Sequence, residues 1–222
     1  MAKAHHKMAQ SYMATKDYTS ALNEMLQALK LKPNSAEFHS SIAVIYFEKK
    51  AYLKSEEHYK KSLRLAPNDP IVENNLAALY LNMQRWDAAA VLFRKVADNL
   101  LFRYKTRALI GLGVAQTRGG HPMKAVLTYN EVLEMFPDNQ QALFNLGKLY
   151  YDMDKYELAK SQFAKIIALD DSNNNVRMLV GQCYMQLCEL DKAADMFREV
   201  ANREDHSELG DKAREYLDTV TK

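Results

Sequence analysis

The chain has 222 residues, 48% of them hydrophobic, which is enough to bury a sizeable core. Thirty basic residues against 28 acidic ones leave a formal charge of +2, so the one-signed footprint of a nucleic-acid-binding or anionic-membrane-binding protein is missing. No apolar run approaches the ~20 residues of a membrane span.

In chain order, the first predicted element pair covers residues 2–35. It carries a small residue, Ala9, an aromatic three residues on, Tyr12, then Ala21 and Met25, and closes at Pro33. Residues 36–69 repeat the pattern with Ala43, Tyr46, Ser55, Tyr59 and Pro67, and Asn34 with Glu37 has the spacing of a capping box at its start. Residues 70–103 carry Ala77, Tyr80, Ala89 and Phe93, with Asp69 expected to cap a helix that begins at Pro70. Residues 106–139 carry Gly113, Ala125, Tyr129 and Pro137, with Gln116 in the aromatic slot. There Gly119-Gly120-His121-Pro122 is expected to break the chain between two helices. Residues 140–173 carry Gly147, Tyr150, Ala159 and Phe163, with a second capping-box spacing at Asp138 and Gln141. Residues 174–207 carry Gly181, Tyr184, Ala193 and Phe197. Residues 207–221 read as a further amphipathic helix, with Leu209, Ala213, Tyr216, Leu217 and Val220 on one side and Arg214, Glu215 and Asp218 on the other.

The first small residues are spaced by 34, 34, 36, 34 and 34. The two extra residues fall in Asp98 to Arg107, which should lengthen a helix or loop. Each unit pairs two helices whose small residues let the backbones approach, while the aromatics fill the remaining space. A period of about 34 residues with a small residue and Tyr, then Ala and an aromatic, then Pro, is the tetratricopeptide signature. The chain is therefore identified as a tetratricopeptide-repeat (TPR) protein. The resemblance implies an all-α fold, a right-handed α-solenoid of six helix-turn-helix repeats with a C-terminal capping helix, in a single domain over 1–222. Neighbouring repeats would share one continuous core.

Motifs for chemistry are absent from the sequence. Adjacent His5 and His6 point in different directions on a helix, and Cys183 and Cys188 lack zinc spacing. Five residues apart on a helix, the two cysteines diverge by roughly 140°, so they are read as two buried thiols rather than a bridge. Gly111 and Gly113 belong to a helix rather than a phosphate loop. Glu56-Glu57 is read as a solvated helix face and Asp170-Asp171 as a turn; the run Arg103-Tyr104-Lys105-Thr106-Arg107 is too short for nucleic acid. No enzyme, metal or cofactor is expected.

The resemblance places ligands on the concave surface lined by the first helices. With the first small residue numbered eight, positions five, nine and twelve face inward. The expected peptide groove contains Val44, Phe47, Asn74, Leu81, Ile110, Val114, Phe144, Lys148 and Tyr151. In the first repeat the same positions hold His6, Gln10 and Met13. The smaller apolar residues are expected to pack partly between first helices; Phe47, Phe144 and Tyr151 are harder to hide. Chaperone-binding members of the family clamp a C-terminal carboxylate with Lys at position five and Asn at position nine of the first repeat, and no repeat here has that pair. An apolar groove fits an amphipathic helix or strand of a partner protein.

The segment Asn74 to Tyr80, then Arg85 to Ala89, Ala97 to Leu101 and Leu109 to Gly113 resembles the middle repeats of the type IV pilus biogenesis lipoproteins, or pilotins. That family also has six repeats, an asparagine pair opening the third, and a lengthened join after it. Its usual Tyr-Pro pair is replaced here by Leu101 to Tyr104. The resemblance implies a periplasmic adaptor at the outer membrane, bearing a lipid anchor upstream of this sequence, that binds secretin subunits and promotes their assembly. The start at Met1 almost inside the first helix is compatible with such a mature domain or with a cytosolic protein. The competing readings are a cytoplasmic TPR adaptor in a signalling or assembly complex and an accessory module of a larger enzyme.

Overall fold

The computed structural model describes residues 1–99 and 102–221. The described residues form thirteen α-helices, and the chain divides into two compact units, Met1–Gly119 and Gly120–Lys222.

The first unit holds α1 (Ala2–Ala14), α2 (Tyr18–Leu31), α3 (Ala36–Glu48), α4 (Tyr52–Leu65), α5 (Pro70–Asn82), α6 (Trp86–Ala97) and α7 (Lys105–Arg118). The second holds α8 (Pro122–Met135), α9 (Gln140–Asp152), α10 (Tyr156–Leu169), α11 (Asn174–Gln186), α12 (Leu190–Arg203) and α13 (Glu208–Val220). Within each unit every helix packs on the next in sequence. The boundary between units falls in the Gly119–Gly120 turn inside the fourth repeat.

The repeat spacing becomes packing. The small residues Ala9, Ala21, Ala43, Ser55, Ala77, Ala89, Gly113, Ala125, Gly147, Ala159, Gly181 and Ala193 are all buried, and so are the bulky residues Met25, Tyr59, Phe93, Tyr129, Phe163 and Phe197. In the second repeat the two small positions are tied directly: Ser55 Oγ donates to the Ala43 carbonyl at 2.8 Å. Burial of each bulky side chain contributes about 1.5–3 kcal/mol.

Turns repeat as strictly as the core. Each turn from first to second helix contains one residue with positive φ, namely Lys16, Lys50, Gln84, Gly120, Asp154 and Cys188, spaced by 34, 34, 36, 34 and 34. This corrects the reading of Cys188: it lies in the turn after α11 and is exposed, while Cys183 is buried and its thiol is pushed up to about 11 by that burial.

The caps also differ in detail from the sequence expectation. Asp69 accepts from the Ile71 and Val72 amides ahead of Pro70, as predicted. The other two caps shift by one residue: Ser35, not Asn34, accepts from the Phe38 amide, and Asn139, not Asp138, from the Ala142 amide. Each is the last extended residue before its helix, which is where a side-chain oxygen reaches the amide three residues on.

The two-residue insertion widens the interval between helix ends, from four residues between α4 and α5 to seven between α6 and α7, while α7 is one residue longer than α5. Helix α6 has 12 residues where α4 has 14, and α7 starts only at Lys105. Leu100 and Leu101, part of the resemblance to pilotins, lie outside the described residues. Phe102 is buried and meets the exposed Tyr104 ring edge-on at 5.8 Å. Glu56 is a second correction, because it is buried and not solvated. Its carboxylate accepts from Tyr80 Oη at 3.2 Å and pairs with Arg85 at 2.9 Å and Lys60 at 2.7 Å. Burial alone would raise its pKa, but the bonds to Lys60, Tyr80 and Arg85 outweigh that and hold the carboxyl below its usual range.

Helix α13 closes the second unit. Ser207 caps it, and Leu209, Ala213, Tyr216, Leu217 and Val220 pack with Phe197 and Val200 of α12. The Tyr216 and Phe197 rings stack at 5.1 Å.

Candidate peptide-binding face

The first helices of the first unit are α1, α3, α5 and α7. On them Val44 and Phe47 sit one turn apart on α3 and are half-buried; Leu81 on α5 and Val114 on α7 are half-buried too. The Phe47 ring lies 5.9 Å from that of Tyr52, which holds it at the turn between α3 and α4. Asn74 and Ile110 are buried at 8% and 7% exposure, so they contribute mostly packing. Position five is buried in His6 and Met178 as well. The Asn74 Oδ1 atom has no hydrogen-bond partner, a costly state for a buried amide.

In the second unit Phe144, Lys148 and Tyr151 fall on one face of α9 by helical spacing. Lys148 is exposed; Phe144 and Tyr151 are half-buried. Phe144 meets the core ring of Phe163 at 6.2 Å, and Tyr151 meets Tyr156 edge-on at 5.3 Å. Burial pushes the Tyr151 phenol up, opposed by a hydrogen bond with Gln186.

A cavity of about 240 Å³ opens between α1 and α3. Val44 lines it, together with His6, Gln10, Met13 and Ser41, over a floor that includes Met25. His6 Nε2 lies 3.2 Å from Ser41 Oγ and 3.4 Å from Gln10 Nε2, and its Nδ1 lies 3.4 Å from Glu37. The sequence placed His6, Gln10 and Met13 at inward positions but left them out of the groove. The signal that could have found the cavity is Met25, which stands where the other five repeats have an aromatic ring.

Among the described residues no group of three or more His, Cys, Asp or Glu could hold a metal ion, and no helix is long and apolar enough to cross a membrane. The side chains on the first-helix faces are suited to non-covalent contact with a polypeptide: apolar surface flanked by a few polar groups.

Two tetratricopeptide-repeat family profiles match residues 6–70 and 74–98. The chain is a tetratricopeptide-repeat protein. A profile described as anaphase-promoting complex, cyclosome, subunit 3 matches residues 123–200 of this TPR protein. It is 28% identical over 97 residues to Superkiller protein 3 of Schizosaccharomyces pombe, an alignment that spans 44% of this chain and only 7% of that one. Its fold is similar to the crystal structure of PilW, a widely conserved type IV pilus biogenesis factor, with a TM-score of 0.81 at 19% identity over 100% of this chain and 98% of that one. PilF of Pseudomonas aeruginosa gives 0.76 at 17% identity over 96% of both chains.

Proposed function

We propose that this TPR protein is a non-catalytic interaction scaffold of type IV pilus biogenesis. The first-helix faces of its two units hold apolar segments of a partner polypeptide, and the partner is an outer-membrane secretin subunit. Binding shields a segment that would otherwise aggregate and so promotes assembly of the secretin pore. The protein then works at the periplasmic face of the outer membrane.

The observation that carries this reading is the end-to-end similarity of fold to PilW, covering 100% of this chain and 98% of that one. Three features of the chain support it. The repeat number agrees with the pilotins; the two-residue insertion lengthens the join after the third repeat; Asn74 and Asn75 open that repeat. The half-buried aromatics Phe47, Phe144 and Tyr151 supply anchors of the kind that dominate protein interfaces.

Deleting the gene tests the reading. The expected result is secretin monomers present, multimers depleted and pili lost. Normal multimers in the deletion strain would refute the secretin role, and the repeat fold would be unaffected by that outcome.

A further inference from the structure

The cavity between α1 and α3 exists because the first repeat departs from the other five. At the bulky position of the second helix the chain has Tyr59, Phe93, Tyr129, Phe163 and Phe197, but Met25 in the first repeat. Where a glycine lies beneath the ring, the ring rests on the first-helix backbone. A β-carbon on Gly147 would sit 2.6 Å from the Phe163 ring, and one on Gly181 would sit 2.5 Å from the Phe197 ring. Those rings fill the seam between helices. Met25 is unbranched and fully buried, so it covers the floor but not the width, and about 240 Å³ stays open above it. The small residue of the first helix does not explain the gap. Ala43 accompanies Tyr59 and Ala77 accompanies Phe93, so alanine at that position is compatible with a ring.

We propose that this cavity is an anchor site for one aromatic side chain of the bound polypeptide, which occupies the space that an intrinsic ring fills elsewhere. An apolar cavity of roughly 150 Å³ suffices for benzene, so the volume admits a phenyl or phenol ring. The lining favours a ring over an aliphatic group. The His6 imidazole forms a flat wall, itself held by the Phe38 ring at 5.3 Å and by Glu37. Met13 and Met25 bring two thioethers, which make favourable contacts with ring edges and adapt to their shape. Gln10 is exposed at the rim, and Ser41 is half-buried beside it. His6 Nδ1 faces the Glu37 carboxylate at 3.4 Å, and Nε2 lies within reach of both Ser41 and Gln10; in the neutral ring with its proton on Nδ1, Nε2 accepts from only one of them, so the other is available to the incoming backbone or hydroxyl.

This inference rests on the reading that the first-helix face binds a polypeptide, but its test does not need the partner. The full chain, labelled at its methionine methyls, is titrated by NMR with N-acetyl-phenylalaninamide and, separately, N-acetyl-leucinamide. The aromatic probe should shift the Met13 methyl saturably in the millimolar range, with the leucine probe at least tenfold weaker. Met25→Phe should abolish the Met13 shift while retaining the fold and melting temperature, since it supplies the missing ring. Gln10→Trp, an exposed rim substitution that leaves the floor untouched, should weaken it as well. No saturable shift at Met13, equal response to leucine, or undiminished binding in both variants would each overturn the assignment. Normal secretin multimers in the deletion strain would instead overturn the partner and leave the anchor site standing.

Discussion

The ring of Phe163 rests on the α-carbon of Gly147, so closely that a β-carbon there would fall 2.6 Å from the nearest ring atom. This contact joins the first small position of the fifth repeat to its bulky position, and both residues are buried. Gly147→Ala should therefore destabilise the protein by about 1–3 kcal/mol through overpacking. Phe163→Leu should cost stability alone yet reduce the penalty of Gly147→Ala in the double variant. Urea unfolding of the four chains measures this coupling.

Gly120 makes the contrasting case. A β-carbon there would meet nothing within 4 Å, but the backbone has φ +77. Gly120→Ala should cost about 1 kcal/mol from backbone conformation alone. The reverse change at an equivalent turn, Lys50→Gly with φ 57 in the native chain, should be neutral to slightly stabilising. Thermal melts of the two variants should move in opposite directions or show Lys50→Gly unchanged.

His39 and His58 predict acid sensitivity in the first unit. His39 is buried; its Nδ1 lies 3.0 Å from His58 Nδ1 and its Nε2 lies 3.1 Å from the Pro33 carbonyl. Burial lowers the proton affinity of both rings, with Lys61 and Arg64 adding to the effect on His39, and His39 and Lys61 adding to that on His58. The Pro33 carbonyl and Glu57 oppose it at His39, as does Glu57 at His58, and the Tyr46 ring, 5.5 Å from His58, completes the surroundings. Because the folded state binds these protons more weakly than the unfolded chain, the contribution is intact above pH of about 6.5 and falls as pH drops toward the folded values. Unfolding free energy measured from pH 7.5 to 5 should decline in the native chain and decline less in His58→Gln.

The fold was legible because a repeat multiplies its evidence. A single Ala-x3-Phe says little, but twelve small positions in one register left few alternatives to paired helices, and every one of them is buried. Caps were less legible, because Asn34 and Ser35, or Asp138 and Asn139, are adjacent residues with similar chemistry and only the backbone decides which oxygen reaches the amide. Glu56 misled for a different reason: its partners Tyr80 and Arg85 lie 24 and 29 residues away, so local charge pattern made it appear solvated. On the candidate face, spacing placed Phe47 and Tyr151 on the first helices, but exposure depends on neighbours from other repeats, which is why Ile110 and Asn74 turn out buried. The α1–α3 cavity was visible only as an anomaly, Met25 among aromatics, whose consequence needs three helices in place.

The central claim is that the first-helix faces bind secretin polypeptide. The most direct measurement is the dissociation constant of the purified chain for purified secretin subunits, compared with Phe47→Ala, Phe144→Ala and Tyr151→Ala at unchanged helical content. Loss of an aromatic anchor costs about 2 kcal/mol, so at least one substitution should raise the constant by roughly 30-fold, while Lys165→Glu, exposed on α10, should change it little. Absence of binding by the native chain, or a larger loss with Lys165→Glu than with all three face substitutions, would contradict it.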